Sequence, residues 1–83
     1  MKITLKLFAT LGKYLPASDR ANEVEVEIAD DATPNDVIEQ FRVPRDMVHL
    51  VLLNGVYVEP AKRSEPLMRA GDALAIWPPV AGG

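Results

Sequence analysis

Cysteine is absent from the 83 residues, which removes disulfides, thiol catalysis and thiolate zinc sites together. Histidine occurs once, at His49, so a multi-histidine metal site has nothing to build on. A histidine-based triad would rest on that residue alone, and His49 sits in an apolar run where a strand position is the better reading. No apolar run approaches the ~20 residues of a membrane span. Met1-Lys2 opens a strand pattern rather than a signal peptide. A basic excess is lacking too: 9 Lys and Arg against 12 Asp and Glu give a net charge of −3. That balance argues against nucleic acid, whose phosphates call for a basic face. The absences together imply a cytoplasmic domain with no metal site, no stably bound cofactor and neither membrane nor nucleic acid as a partner. Any reactive chemistry has to use a carboxylate, an amine or a hydroxyl.

The residues present make one small domain in which every strand shares a single core. Hydrophobic residues are 48% of the chain and charged ones 25%, the usual balance of a globular protein. Its most informative stretch is Trp77-Pro78-Pro79-Val80-Ala81-Gly82-Gly83. Successive prolines have no N–H to donate, so they stop the strand that Ala73-Leu74-Ala75-Ile76 begins. A polyproline-type exit from Pro78 to Gly83 reaches roughly 18 Å, at about 3.1 Å per residue. Side chains shrink along it from Trp77 to Gly83, so the end can thread a narrow slot and its carboxylate has no neighbouring side chain to block attack. The reading therefore divides the chain into a domain over 1–77 and an extended tail over 78–83.

Upstream, Ile3, Leu5 and Leu7 alternate with Lys2, Thr4, Lys6 and Phe8, the pattern of a half-buried strand. Val24, Val26 and Ile28 alternate likewise with Glu23, Glu25 and Glu27, and antiparallel pairing would set the lysines among the glutamates. Three glutamates in a row along an open face read as a solvated surface rather than a catalytic set. Leu11, Tyr14 and Leu15 have the spacing of a short helical turn ahead of Pro16. Thr33 suits a helix N-cap, Pro34 the first helical position and Asp36 the first turn. Val37, Ile38 and Phe41 then form a buried stripe, and Pro44 ends the helix. A strand runs from Val48 to Leu53, and Asn54-Gly55 turns it back, because both positions accept positive φ. Leu53 then faces Val56, Leu52 faces Tyr57 and Val51 faces Val58. An irregular crossover, plugged by Leu67 and Met68, leads through Gly71-Asp72 to the last strand, Ala73 to Trp77.

One mixed sheet of four to five strands wrapped round one helix, an α+β arrangement, accounts for this order. With Ile3, Leu5, Leu7, Val24, Val26, Ile28, Val51, Leu53, Leu74 and Ile76 turned inward, an apolar remainder is left on the other face. It comprises Phe8, Leu52, Tyr57, Ala75 and Trp77. Clustered exposed apolar groups mark a partner surface. Phe8 and Trp77 stand at strand ends and can instead fold over an edge, but the shared face leads into the tail, which favours the patch.

Leu7-Phe8-Ala9, Leu53-Asn54-Gly55, Gly71-Asp72 and the final Gly82-Gly83 resemble the MoaD/ThiS family of ubiquitin-like sulfur carriers. The resemblance spans essentially the whole chain, and Pro-Pro-Val-Ala-Gly-Gly looks more like the molybdopterin synthase small subunit than the thiamine carrier. It implies a β-grasp fold. It also implies that the Gly83 carboxylate, presented by Gly82, is adenylated and becomes a thiocarboxylate. ATP and magnesium would belong to a ubiquitin-activating-type enzyme similar to MoeB or ThiF, and the sulfur to a cysteine desulfurase or rhodanese-like donor. In the molybdopterin branch the tail enters a large subunit similar to MoaE and sulfurates a pterin precursor; a thiazole synthase takes that place in the thiamine branch. By the same resemblance Phe8, Tyr57 and Trp77 match a docking face, to which strand alternation adds Leu52, and Pro78, Pro79, Val80 and Ala81 would follow as partner-binding residues. The chain would supply the reacting terminus without being a complete enzyme. One departure is local: the family often has a basic residue soon after the Phe-Ala pair, where Gly12 precedes Lys13 here.

Two other classes share these features. A protein modifier would end with Gly83 in an isopeptide bond to a lysine, and a β-grasp interaction domain would keep an unreactive tail.

Overall fold

The computed structural model describes residues 1–16 and 22–79. In chain order the elements are β1 (Lys2–Leu7), β2 (Glu23–Glu27), α1 (Pro34–Gln40), β3 (Leu50–Leu53), β4 (Val56–Tyr57) and β5 (Ala73–Trp77). Short 3₁₀ turns occupy Ala9–Tyr14, Arg45–Met47 and Pro60–Lys62. The five strands form one sheet in the order β2-β1-β5-β3-β4. β1 runs parallel to β5, while the β1–β2, β3–β5 and β3–β4 pairs are antiparallel. A mixed sheet with two such hairpins, closed by a parallel pair of first and last strands round one helix, is the β-grasp architecture. No helix among the described residues is long and apolar enough to cross a membrane.

Alternation in the sequence becomes burial in the fold. Ile3, Leu5, Leu7, Val26, Ile28, Val51, Leu74 and Ile76 are all buried, and Val37 and Ile38 of α1 cover them. Val24 and Leu53, nearer the sheet's ends, are half-buried against the same cluster. The expected registers hold: Lys2 lies opposite Glu27 and Lys6 opposite Glu23, and Leu52 meets Tyr57 as Leu53 meets Val56. The amino group of Met1 donates to the Ile28 carbonyl at 2.7 Å and to Asp30 Oδ1 at 3.0 Å, fixing the start of the β1–β2 pair. Hydrogen bonding to Asp30 holds that amine above its ordinary pKa.

Both ends of α1 are specified locally. Thr33 Oγ1 accepts from the Asp36 N–H at 3.0 Å, and Asp36 Oδ2 accepts from the Thr33 N–H at 2.9 Å, a reciprocal capping box. At the other end Val43 N–H bonds to the Ile38 carbonyl and Arg42 N–H to that of Glu39, the two bonds of a Schellman motif. That motif requires positive φ at Arg42, where it is 57°. Glycine adopts this conformation without steric cost, so Arg42→Gly is expected to stabilise the fold by about 0.5–1 kcal/mol. An upward shift of the urea midpoint at constant m-value checks it.

Five expectations need correction. The helix stops at Gln40, because the Schellman turn ends it before Pro44, and Phe41 is a half-buried cap packed on the core rather than part of it. The strand expected from Val48 begins only at Leu50, since the 3₁₀ turn at Arg45–Met47 takes up the chain before it. His49 is thus an exposed residue ahead of β3, although its N–H still bonds to the Trp77 carbonyl at 3.0 Å. In the crossover Met68 is buried, whereas Leu67 is 37% exposed.

Candidate functional site

The sheet face away from α1 is organised in rows by the strand registers. One row runs Glu23, Lys6, Ala75, Leu52, Tyr57 from edge to edge. The next contains Phe8, Trp77 and Leu50: Leu50 is opposite Trp77, and the Phe8 N–H bonds to the Ile76 carbonyl at 3.1 Å. Phe8 and Trp77 stack with ring centroids 4.2 Å apart and planes 4° from parallel. Each ring covers part of the other, so both are half-buried, as are Leu50 and Leu52. Tyr57, on the edge strand, is 55% exposed. Ala75 differs from the expectation of an exposed patch: Lys6 and Leu52 flank its small side chain, and it is buried. The apolar residues are therefore gathered on one face, as a half-buried platform rather than an open one.

The platform lies at the root of the tail. Trp77 closes β5, Pro78 is buried and Pro79 is exposed. Val80, Ala81, Gly82 and Gly83, to which the sequence assigns the chemistry and part of the docking, lie outside the described residues. Phe8 is brought to Trp77 because β1 and β5 are parallel and end together, and because positive φ at Ala9 (52°) turns the chain into the 3₁₀ segment straight after Phe8. Leu50 was missed in the sequence, although continuing the alternation of Leu52 back by two residues would have found it. Lys13 is exposed, with Nζ 5.4 Å from the centre of the Tyr14 ring.

Two of the motifs behind the family resemblance turn out to be one structural clasp. Asn54 and Gly55 form the β3–β4 turn with φ of 50° and 83°. Asn54 N–H bonds to the Ala73 carbonyl and Asn54 Oδ1 accepts from the Ala73 N–H, both at 2.8 Å. The neighbouring Asp72 Oδ2 accepts from the Arg69 N–H at 2.8 Å, while the Asp72 carbonyl and the Gly71 N–H bond to β1. The hairpin turn and the turn before β5 thereby lock the last strand between its neighbours. Hydrogen bonding to Asn54, with the Arg69 N–H and charge adding to it, holds the Asp72 carboxyl below its usual range. A depressed folded-state pKa stabilises the fold above the ordinary value of about 3.9, and the gain fades as pH falls through the folded value. Asp72→Asn is therefore expected to flatten the fall of the urea midpoint on the acid side of pH 4, with little change in slope near neutrality.

Arg63 is a second residue that the sequence did not reveal. It is 7% exposed, with Nε donating to the Val58 carbonyl at 2.9 Å and a guanidinium NH₂ to that of His49 at 3.5 Å. Its own carbonyl accepts from the Asn35 N–H, so it ties the crossover to the hairpin and to α1. A buried arginine bonded to carbonyls is structural, and composition gives no signal for it. Among the described residues, no group of three or more His, Asp or Glu is arranged to hold a metal ion.

A family model described as Mut7-C ubiquitin matches residues 1–82. The chain belongs to the Mut7-C ubiquitin family. Among curated proteins, none matches the sequence. Several solved structures are similar to this Mut7-C ubiquitin domain. The solution structure of the Haloferax volcanii HVO 2177 protein is 26% identical, with a TM-score of 0.77 over 100% of this chain and 87% of that one. Small archaeal modifier protein 1 (SAMP1) of the same organism is similar in two crystal structures, at 27% and 28% identity and TM-scores of 0.67 and 0.64. These matches cover 100% and 95% of this chain, and 100% and 98% of theirs. A putative molybdopterin converting factor, subunit 1, from Pyrococcus furiosus shares the fold at 22% identity and a TM-score of 0.67, over 95% of this chain and 98% of that one. The ubiquitin-like fold expected from the sequence is thus also that of the family and of its structural neighbours.

Proposed function

We propose that this Mut7-C ubiquitin domain is a sulfur carrier whose activated group is the Gly83 carboxylate. The observation that carries the reading is the stacked Phe8–Trp77 pair at the root of the segment that runs on to Gly82-Gly83. A half-buried aromatic platform supplies apolar area for a partner at low entropic cost, and Gly83 follows Trp77 by only six residues in the chain.

The chemistry fits the residues. A carboxylate is a poor electrophile until its oxygen bonds to the α-phosphorus of ATP, pyrophosphate leaves and AMP becomes the leaving group. The outer sulfur of a donor protein's cysteine persulfide then displaces AMP at the acyl carbon, giving an acyl disulfide, and a second thiol cleaves its S–S bond, releasing the thiocarboxylate and leaving a disulfide on the donor side. Glycine leaves that carbon open, and a chain without cysteine still carries sulfur. ATP and magnesium are used by the activating enzyme. The acceptor we favour is a pterin precursor held by a larger synthase subunit, in keeping with the neighbour described as subunit 1 of a molybdopterin converting factor. A thiazole synthase is the counterpart in the thiamine branch.

A second reading is that of a protein modifier, joined through Gly83 to lysine amines. The similarity to small archaeal modifier protein 1, which is higher in identity than that to the converting-factor subunit, favours keeping it. Both readings need the same acyl-adenylate and differ in the nucleophile that follows. Intact mass after incubation with the cognate activating enzyme, ATP and a sulfur donor distinguishes them. Carrier function is expected to replace one oxygen by one sulfur, and conjugation to add the mass of a whole acceptor. An unchanged mass would mean an unreactive tail.

A further inference from the structure

We propose that the free edge of β4 takes an extended, basic segment of a partner protein as an additional strand, at a surface separate from the Phe8–Trp77 platform and independent of the Gly83 chemistry. Three observations carry this. First, Leu53 and Val56 are paired, and the Val58 N–H bonds to the Val51 carbonyl at 2.9 Å. Antiparallel bonding alternates, so the N–H and C=O of Tyr57 between them face away from β3, toward solvent. Second, the strand is apolar on both sides at that point, with Val56 68% and Tyr57 55% exposed. Val56 faces the helix side of the sheet, and an open groove of ≈ 760 Å³ at this edge is lined by Leu53, Val56, Tyr57, Val58 and the 37%-exposed Leu67.

Third, the charges around the groove select the partner's sign. Lys62 pairs with Glu65 at 3.5 Å, and Arg69 offsets Asp72. Glu59 also lines the groove and has no charged partner among the described residues. One carboxylate is therefore left uncompensated on a chain whose net charge is −3. Like charge disfavours a second copy of this chain at the same edge, whereas a strand with a lysine or arginine beside Glu59 satisfies it. Side chains alternate along such a strand. Its residues on one face would pack over Val56 and Leu67, and those on the other beside the Tyr57 ring.

The test is an NMR titration of the ¹⁵N-labelled chain with a synthetic heptapeptide of alternating valine and threonine bearing one arginine, and with its twin bearing glutamate. Peptide-induced shifts are expected at Val56 to Glu59 and at Leu67, with the Tyr57 amide gaining exchange protection. The arginine peptide should bind roughly fivefold to tenfold more tightly than the glutamate twin, and the gap should narrow with salt. Glu59→Lys is expected to reverse the preference, and Val56→Lys to remove binding. Both side chains are exposed, so the variants should keep the parent spectrum elsewhere, which the same experiment reads. Absence of shifts at the β4 edge, shifts centred on Phe8 and Trp77, or equal binding of the twins would each overturn the assignment. Linewidths that rise with protein concentration before peptide is added would assign the edge to self-association and overturn it as well.

Discussion

Deleting Gly83 is expected to abolish loading of the chain by its activating enzyme while the fold stays intact. The truncated chain still ends in a glycine carboxylate, that of Gly82, so the chemistry itself is preserved. What changes is reach: the reacting carbon is withdrawn by one residue, about 3.3–3.6 Å in an extended chain. A misplacement of even ~1 Å can cost on the order of 10²-fold in rate, so acyl-adenylate formation should fall by at least that much. The described core and sheet end before this residue, so the thermal midpoint should not move. ATP–pyrophosphate exchange measures the rate, and circular dichroism serves as the control. Undiminished exchange from the truncated chain would falsify the assignment of chemistry to Gly83.

Trp77→Asp should have the second largest effect, on docking. A tryptophan on an interface platform is the residue type most often found to dominate binding, with losses of about 2 kcal/mol or more, or ~30-fold in Kd, on truncation. Aspartate adds the desolvation of a charge to that loss. Stability should fall too, because Trp77 stacks on Phe8 at 4.2 Å, but by a smaller amount. Losing the stack is worth about 0.5–1.5 kcal/mol beyond area, and Trp77 is only half-buried. Trp77→Phe keeps a ring on Phe8 and should restore most of the affinity. Calorimetry against the cognate large subunit, beside urea melts of both variants, separates the two effects. Full affinity in a folded Trp77→Asp chain would remove the platform from docking, and a chain that does not fold would make Trp77 core.

The particular elements show where sequence was sufficient. In β1, β2 and the β3–β4 hairpin each inward position was legible because a period of two leaves only two registers, and burying the wrong one would expose every valine and leucine. The α1 start was legible because Thr33, Pro34 and Asp36 act on backbone groups within one turn. The end of α1 is not legible in the sequence, because the αL residue of its Schellman turn is Arg42 rather than a glycine, which leaves Pro44 as the visible stop. His49 and the start of β3 are not legible there either, because a run of apolar residues does not mark where a 3₁₀ turn gives way to a strand.

The site shows the same division. Phe8, Leu52, Tyr57 and Trp77 fell on one face by parity, but parity does not say how far each is covered. The stack, the burial of Ala75 and of Pro78, and the place of Leu50 beside Trp77 depend on which strands lie side by side. Asn54 and Ala73 are distant in sequence, and the two hydrogen bonds that clasp them exist only because β3 and β5 are neighbours.

By itself, then, the sequence determined what is local or periodic: the faces of the strands, the helix cap, the Asn54-Gly55 turn and the succession of side chains toward Gly83. The tertiary structure alone decided which of those pieces touch: the aromatic platform, the Asn54–Ala73 clasp, the burial of Arg63 and the open edge at Tyr57. The reason is physical. Alternation and capping are set by interactions within a few residues, whereas contacts between distant segments follow from the order in which strands join the sheet, which no local preference encodes.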